Sequence, residues 1–162
     1  MYCVGAASSA GYATYQGGAV SRVSEILRSK GNKVFQVEGS ITVFEAIKVM
    51  VEANVGALLV TEDGEITGIM TERDYLRRVT LQGRTDKEAL VSEIMSSPII
   101  YVTPDTGIDE CMAMMTERRI RHLPVMDGDD LAGLVSIGDL VKFQSKEQSF
   151  QIQYLTEYIG GR

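Results

Sequence analysis

A shift of 65 positions lays one part of this 162-residue chain over another without a gap. ALLVTEDGEITGIMTERDYL, from Ala57 to Leu76, falls on HLPVMDGDDLAGLVSIGDLV, from His122 to Val141. Upstream, Thr42 to Val55 falls on Gly107 to Ile120. Few residues are identical, but the apolar pattern is kept: Val43 with Ile108, Met50 with Met115, Leu58 with Leu123, Val60 with Val125, Ile66 with Leu131. Gly68 coincides with Gly133 and Asp74 with Asp139. Self-similarity at a fixed offset means that the fold is built from two copies of one supersecondary unit.

Each copy reads locally. KVFQV and IIYVT are short β-branched and aromatic runs, so strands. Val43, Ile47, Met50 and Val51 recur at helical spacing, as do Ile108, Cys111, Met112 and Met115. Pro104 and Asp105 stand just before the second of these helices, a favourable start. Two hairpins follow, with Asp63-Gly64 and Asp127-Gly128 supplying the turn chemistry. Thr71 and Ser136 then each open another helix. The unit is β-α-β-β-α, repeated once. Each copy, at roughly sixty residues, would be marginal alone. The expected fold is therefore α+β, with two repeats packed sheet to sheet in pseudo-twofold symmetry. The repeats are placed at 33–90 and 91–146, with Leu81 to Leu90 as polar connector. Residues 147–162 carry Phe150, Ile152, Leu155 and Ile159 at near-helical spacing and form a C-terminal helical tail.

Composition narrows the function. The 44% hydrophobic and 23% charged content is that of a globular protein. No run of apolar residues is long enough to span a membrane. A net charge of -6 argues against nucleic-acid binding through a bulk positive field. Cys3, Cys111 and the lone His122 supply neither a disulfide framework nor a zinc site, and two distant cysteines fit a reducing compartment. No nucleophile–base pair is suggested, so no residue is assigned a catalytic role. Residues 1–32 read as a leader, mostly disordered. Its first 24 positions lack Asp and Glu, which suits either a transit-segment remnant or a leader of no fixed purpose.

GIMTERD (Gly68 to Asp74), IRHLPV (Ile120 to Val125) and GLVSIGD (Gly133 to Asp139) resemble the signatures of a tandem cystathionine-β-synthase-type (CBS) domain pair, the Bateman module. The resemblance covers roughly residues 33 to 146. The short architecture is similar to stand-alone single-pair CBS proteins of plant organelles, of the mitochondrial type, and of bacteria. It implies a regulatory protein that binds AMP, ADP, ATP or S-adenosylmethionine and acts in trans on a partner. It also implies a homodimer, a mitochondrial location and, from plant relatives, a thioredoxin-type partner. The alternative is a constitutive interaction module whose nucleotide sites are vestigial.

The motif G-h-h-[ST]-x-x-D has chemistry suited to such a ligand. Thr71 and Ser136 stand where a strand meets a helix, whose N-terminus favours phosphate. Asp74 and Asp139, when ionised, can accept both hydrogen bonds of a ribose diol. Gly68 and Gly133 would leave room for a flat base. Arginine suits phosphate through its planar fork. Arg118, Arg119, Arg121 and His122 have Ala53, Asn54, Gly56 and Ala57 opposite them, so the two sites should differ chemically. Asp139, Ser136, Arg121 and His122 are expected in the better site, with Arg73 as helper and Arg119 nearby. The resemblance adds an adenine pocket from Ile99, Val102 and Leu123. The same motifs also read as plain helix caps, and the arginines as a solvated helix end. Cys111 is expected to be an inert buried thiol.

Overall fold

The 65-residue offset reappears element by element in the computed structural model, which describes residues 21–160 and their side chains as far as 156. In chain order the elements are α1 (Val23–Lys30), β1 (Gln36–Glu38), α2 (Val43–Ala53), β2 (Ala57–Glu62), β3 (Glu65–Thr71) and α3 (Glu72–Tyr75). A wider helical turn, Leu76–Thr80, extends α3. Then come α4 (Val91–Ile94), α5 (Ile108–Arg118), β4 (His122–Asp127), β5 (Asp130–Ser136) and α6 (Ile137–Gly160). The bounds of α5, β4 and β5 are those of α2, β2 and β3 moved by 65 positions. The chain forms two compact units: 33–100, and 21–32 with 101–160.

In the first unit β1 runs parallel to β2, and β2 antiparallel to β3. Thr42 opens α2 with a closed cap: its Oγ1 accepts from Glu45 N–H at 3.3 Å, and Glu45 Oε2 accepts from Thr42 N–H at 2.9 Å. Asn54 ends the helix in the left-handed region, φ 53°, which Asn tolerates. β2 is buried from Ala57 to Thr61, the pattern of a strand covered on both faces. Val43, Ala46 and Met50 of α2 join Leu58, Val60, Met70, Val91 and Ile94 in one core. The β2–β3 turn has positive φ at both Asp63 and Gly64, as a type I′ hairpin requires. Both hairpins carry the same register shift, after Val60 and after Val125.

The second unit departs from this plan at its first strand. IIYVT is expected as a strand, yet only Val102 pairs, as a single parallel bridge to Val125. Val102 N–H donates to Pro124 O at 3.0 Å, and Val102 O accepts from Met126 N–H at 2.8 Å. The reason is covalent. In the first unit the outer rungs are Leu59 N–H to Phe35 O and Gly39 N–H to Thr61 O. The positions matching Leu59 and Gly39 are Pro124 and Pro104, which have no N–H to give.

Packing and repeat do not divide the chain at the same places. A leader is expected over 1–32, but Val23–Lys30 is a helix whose Val23 and Ile26 are buried in the second unit. The readings of residues 1–20 lie outside the described residues. The second repeat is expected over 91–146, and Val91 and Ile94 of α4 at its start pack in the core of the first unit. The physical cause is a second repeat with a different offset. VSEI occurs at Val23–Ile26 and again at Val91–Ile94, 68 positions apart. The two helices are held alike: Val23 N–H donates to Thr106 O and Ser24 N–H to Pro104 O, while Val91 N–H donates to Ile41 O and Ser92 N–H to Gly39 O. Glu25 and Glu93 each accept from the N–H of the residue before their helix, Arg22 and Leu90. Each unit is thus completed by the VSEI helix that precedes the other repeat. Lastly, the tail from 147 is no separate element but the continuation of α6, whose Phe150, Ile152, Tyr154 and Leu155 are exposed.

Candidate ligand site

Both Ser/Thr-x-x-Asp motifs form where an antiparallel strand runs out into a helix, and both close as caps. Thr71 Oγ1 accepts from Asp74 N–H at 3.3 Å, and Asp74 Oδ2 accepts from Thr71 N–H at 2.9 Å and from Thr71 Oγ1 at 2.8 Å. In the second unit Ser136 Oγ accepts from Asp139 N–H at 3.2 Å. Asp139 Oδ2 accepts from Ser136 N–H at 2.8 Å and from Ser136 Oγ at 3.0 Å. The local reading of these motifs as capping boxes is therefore correct, and any ligand role is an addition to it.

The two carboxylates differ in what else holds them. Asp74 is buried, and its Oδ1 accepts from Ser96 Oγ at 3.1 Å. Asp139 is half-buried, and its Oδ2 also accepts from Lys30 Nζ at 2.6 Å. None of the three donors on Asp139 touches Oδ1. Burial pulls the Asp139 carboxyl upward, but the Lys30 ammonium and the Ser136 hydrogen bonds outweigh it and hold the group below its ordinary value. It is an anion at neutral pH.

Strand register and one backbone bond place two of the expected residues, Arg121 and His122, at the junction that Asp139 caps. His122, first in β4, is the cross-strand partner of Ser136. The carbonyl of Arg121 accepts from Ile137 N–H at 2.8 Å, at the first residue of α6. Arg121 is exposed and His122 half-buried. In the first unit the same bond runs from Glu72 N–H to Gly56 O, and Ala57 pairs with Thr71. The two junctions therefore share a backbone and differ in side-chain chemistry, as the sequence indicates. Arg119, exposed, ends α5 at φ 55°. This is a left-handed position that suits its counterpart Asn54 and that a long side chain adopts at a cost. Arg73 is exposed on α3 of the first unit.

Of the apolar residues assigned to an adenine pocket, Ile99 is buried in the first unit, and Val102 and Leu123 are buried in the second. The glycines play a different part from the one expected. A Cβ on Gly68 would meet the Met95 side chain and, at 3.1 Å, Ser96 O. A Cβ on Gly133 would meet Leu27 Cδ2 at 2.7 Å and Cδ1 at 3.2 Å. Both glycines make room for the residue that follows VSEI in the visiting helix, not for a base. Ser96 and Lys30 are carboxylate partners that motif reading missed. The VSEI repeat marks the helices that carry them, but at its offset Ser96 matches Arg28 and Lys30 matches Pro98, so spacing does not pick the two residues out.

Cys111 is fully buried, and burial together with the nearby Glu110 charge pushes its thiol up to about 12. It is the inert thiol expected. Among the described residues, no group of three or more His, Cys, Asp or Glu side chains could hold a metal ion. No helix among them is long and apolar enough to cross a membrane.

A doubled β-α-β-β-α unit with a [ST]-x-x-D junction in each copy defines a class, and comparison with known proteins agrees. The family model of the CBS domain matches residues 23–80 and 91–146. The chain belongs to the CBS-domain family. It is 41% identical over 151 residues to the mitochondrial CBS domain-containing protein CBSX3 of Arabidopsis thaliana, covering 86% of this chain and 72% of that one. It is 35% identical over 127 residues to the CBS domain-containing protein YhcV of Bacillus subtilis, covering 78% and 90%. Among solved structures, a protein with CBS domains from Burkholderia ambifaria shares 50% identity at a TM-score of 0.77, over 79% of this chain and 96% of that one. A CBS domain pair solved with 5′-methylthioadenosine and S-adenosylmethionine has the same fold, at a TM-score of 0.70 and 22% identity, over 80% and 99%.

Proposed function

We propose that this protein is a non-catalytic module that binds an adenosine-containing ligand (AMP, ADP, ATP or S-adenosylmethionine) and regulates a partner in trans. The observation that carries the reading is the junction at Ser136. There an ionised, half-buried carboxylate caps a junction whose strand register includes Arg121 and His122, whereas the junction at Thr71 has a buried carboxylate and Gly56 and Ala57 at the matching positions. An acceptor-only carboxylate suits a ribose diol. The N-terminus of the 24-residue α6 and the Arg121 guanidinium suit phosphate or carboxylate. Asp139, Ser136, Arg121 and His122 form the main site, with Arg119 as a further cation. Asp74 and Thr71 form a weaker second site, and Ile99, Val102 and Leu123 are the candidate adenine contacts. The adenosine ligands of the CBS domain pair of like fold support this class of ligand. The name of the plant relative supports a mitochondrial location.

A second reading is favoured by the closure of both motifs on themselves, since a complete capping box needs no ligand to explain it. On that reading the chain is a constitutive interaction module, for instance for a thioredoxin-type protein. The exposed apolar residues of α6 would then serve a homodimer or a partner. Titration calorimetry of the full chain against AMP, ADP, ATP and S-adenosylmethionine separates the two. A Kd at or below about 100 μM, roughly -5.5 kcal/mol, supports the sensor. A folded sample silent to all four ligands leaves the interaction module.

A further inference from the structure

The two units secure their visiting helices by different chemistry. In the first, Ser96 N–H donates to Ile69 O at 2.8 Å, Ile69 N–H donates back at 3.0 Å, and Ser96 Oγ reaches Asp74. In the second unit Leu134 takes the place of Ile69 and Asp139 that of Asp74. There Lys30 Nζ alone supplies both bonds, at 2.8 Å to Leu134 O and 2.6 Å to Asp139 Oδ2. An ammonium has three protons and can serve both acceptors. One flexible cation therefore takes the place of two donors, the Ser96 N–H and the Ser96 hydroxyl, but has no acceptor to offer the strand in return.

Asp139 Oδ2 is crowded by this arrangement. It accepts from Ser136 N–H, Ser136 Oγ and Lys30 Nζ together. A cis-diol that grips both carboxylate oxygens needs a lone pair on Oδ2, so one of the three donors has to give way. The Ser136 N–H is fixed by the turn into α6, while the Ser136 hydroxyl keeps its oxygen on Asp139 N–H whichever way its proton points. The Lys30 side chain is 34% exposed and ends a four-carbon stem. It can leave without opening a helix end, and of the three donors it is the one whose departure loosens α1.

We propose that Lys30 is a built-in competitor for the ligand's diol at Asp139, and that binding there frees the last turn of α1 from β5 and α6. The inference rests on the reading of Asp139 as the diol acceptor. It gives that site a consequence. The end of α1 leads through Gly31 into residues 32–35, so the state of Asp139 is passed to the chain that enters the first repeat.

The test uses the full chain, the variants Lys30→Met and Lys30→Arg, adenosine as probe, and 2′-deoxyadenosine as a probe lacking the diol. Lys30→Met should bind adenosine about two- to five-fold more tightly, the size expected for release of a partly exposed ion pair. Its affinity for 2′-deoxyadenosine should not change, and Lys30→Arg should behave as the parent. Adenosine should also speed amide exchange at residues 28–31 in the parent, and not in Lys30→Met, where exchange is already fast. Adenosine binding that Asp139→Asn abolishes but Lys30→Met leaves unchanged or weakens would overturn the inference alone. Failure of folded parent and variants to bind adenosine at all would overturn the diol reading and the inference with it.

Discussion

Gly133→Ala places a methyl group 2.7 Å from Leu27 Cδ2, where ordinary contact begins at 3.4 Å, so the Leu27 side chain has to retreat by about 0.7 Å. Gly133 lies in β5 without a positive φ, so alanine carries no backbone penalty there. The whole cost is then overpacking against α1, about 1–3 kcal/mol. Because the obstacle is the far end of one side chain, removing it should remove the cost. Leu27→Ala alone should destabilise by about 2 kcal/mol, or less for so partly exposed a residue. In that background Gly133→Ala should be neutral or slightly stabilising, since alanine loses less chain entropy than glycine. Urea unfolding of the four proteins, followed by circular dichroism, gives a coupling energy of about 1–3 kcal/mol. Gly68→Ala is the internal contrast. Its methyl also meets Ser96 O at 3.1 Å, a carbonyl tied to Ile69 N–H, so Met95→Ala should rescue it only in part. Additive effects of Gly133→Ala and Leu27→Ala, within about 0.5 kcal/mol, would refute the placement of α1 on β5.

Two further predictions concern titrating groups. Asp139 has a lowered carboxyl pKa in the folded chain, so its contribution to stability is fully present above the ordinary value of 3.8 and is lost as pH falls through the lower folded value. The stability gap between the parent and Asp139→Asn, measured by urea unfolding, should therefore shrink as pH is taken below 3.8. A gap that is flat through this range would show that the charge of Asp139 does not stabilise the fold. Cys111, with its thiol pushed up to about 12, should resist a thiol reagent at pH 8 in a Cys3→Ser background. Labelling should appear only in denaturant, at the same midpoint as unfolding of the second unit. Rapid labelling in buffer would contradict the burial of α5 on its apolar face.

The repeat made most of the fold legible, because hydrophobic alternation and helical spacing are local signals that survive divergence. Its offset predicts the bounds of α5, β4 and β5 from those of α2, β2 and β3. The failures have physical causes. IIYVT has strand composition, but its pairing is decided elsewhere, by prolines at 104 and 124 that remove the outer rungs. α1 was hidden by the Ser- and Gly-rich residues before it, and the four-residue identity VSEI betrays it only at an offset of 68. The candidate site was half legible. Which residues lie near Asp139 follows from strand register, since Ser136 must face His122 once the hairpin is set. That Gly133 seats Leu27, and that Lys30 reaches Asp139, are long-range facts which spacing along the chain does not carry.

In the function proposed above, the second junction rather than the first is the main ligand site. Calorimetric titration of the full chain, Asp139→Asn and Asp74→Asn with whichever adenosine ligand the parent binds tests it most directly. Both variants lose a comparable capping oxygen, worth about 1 kcal/mol of stability, so each serves as the folding control for the other. Asp139→Asn should weaken binding at least about ten-fold, equivalent to about 1.4 kcal/mol, while Asp74→Asn stays close to the parent. Equal affinity in all three proteins, or a greater loss in Asp74→Asn, would contradict the account.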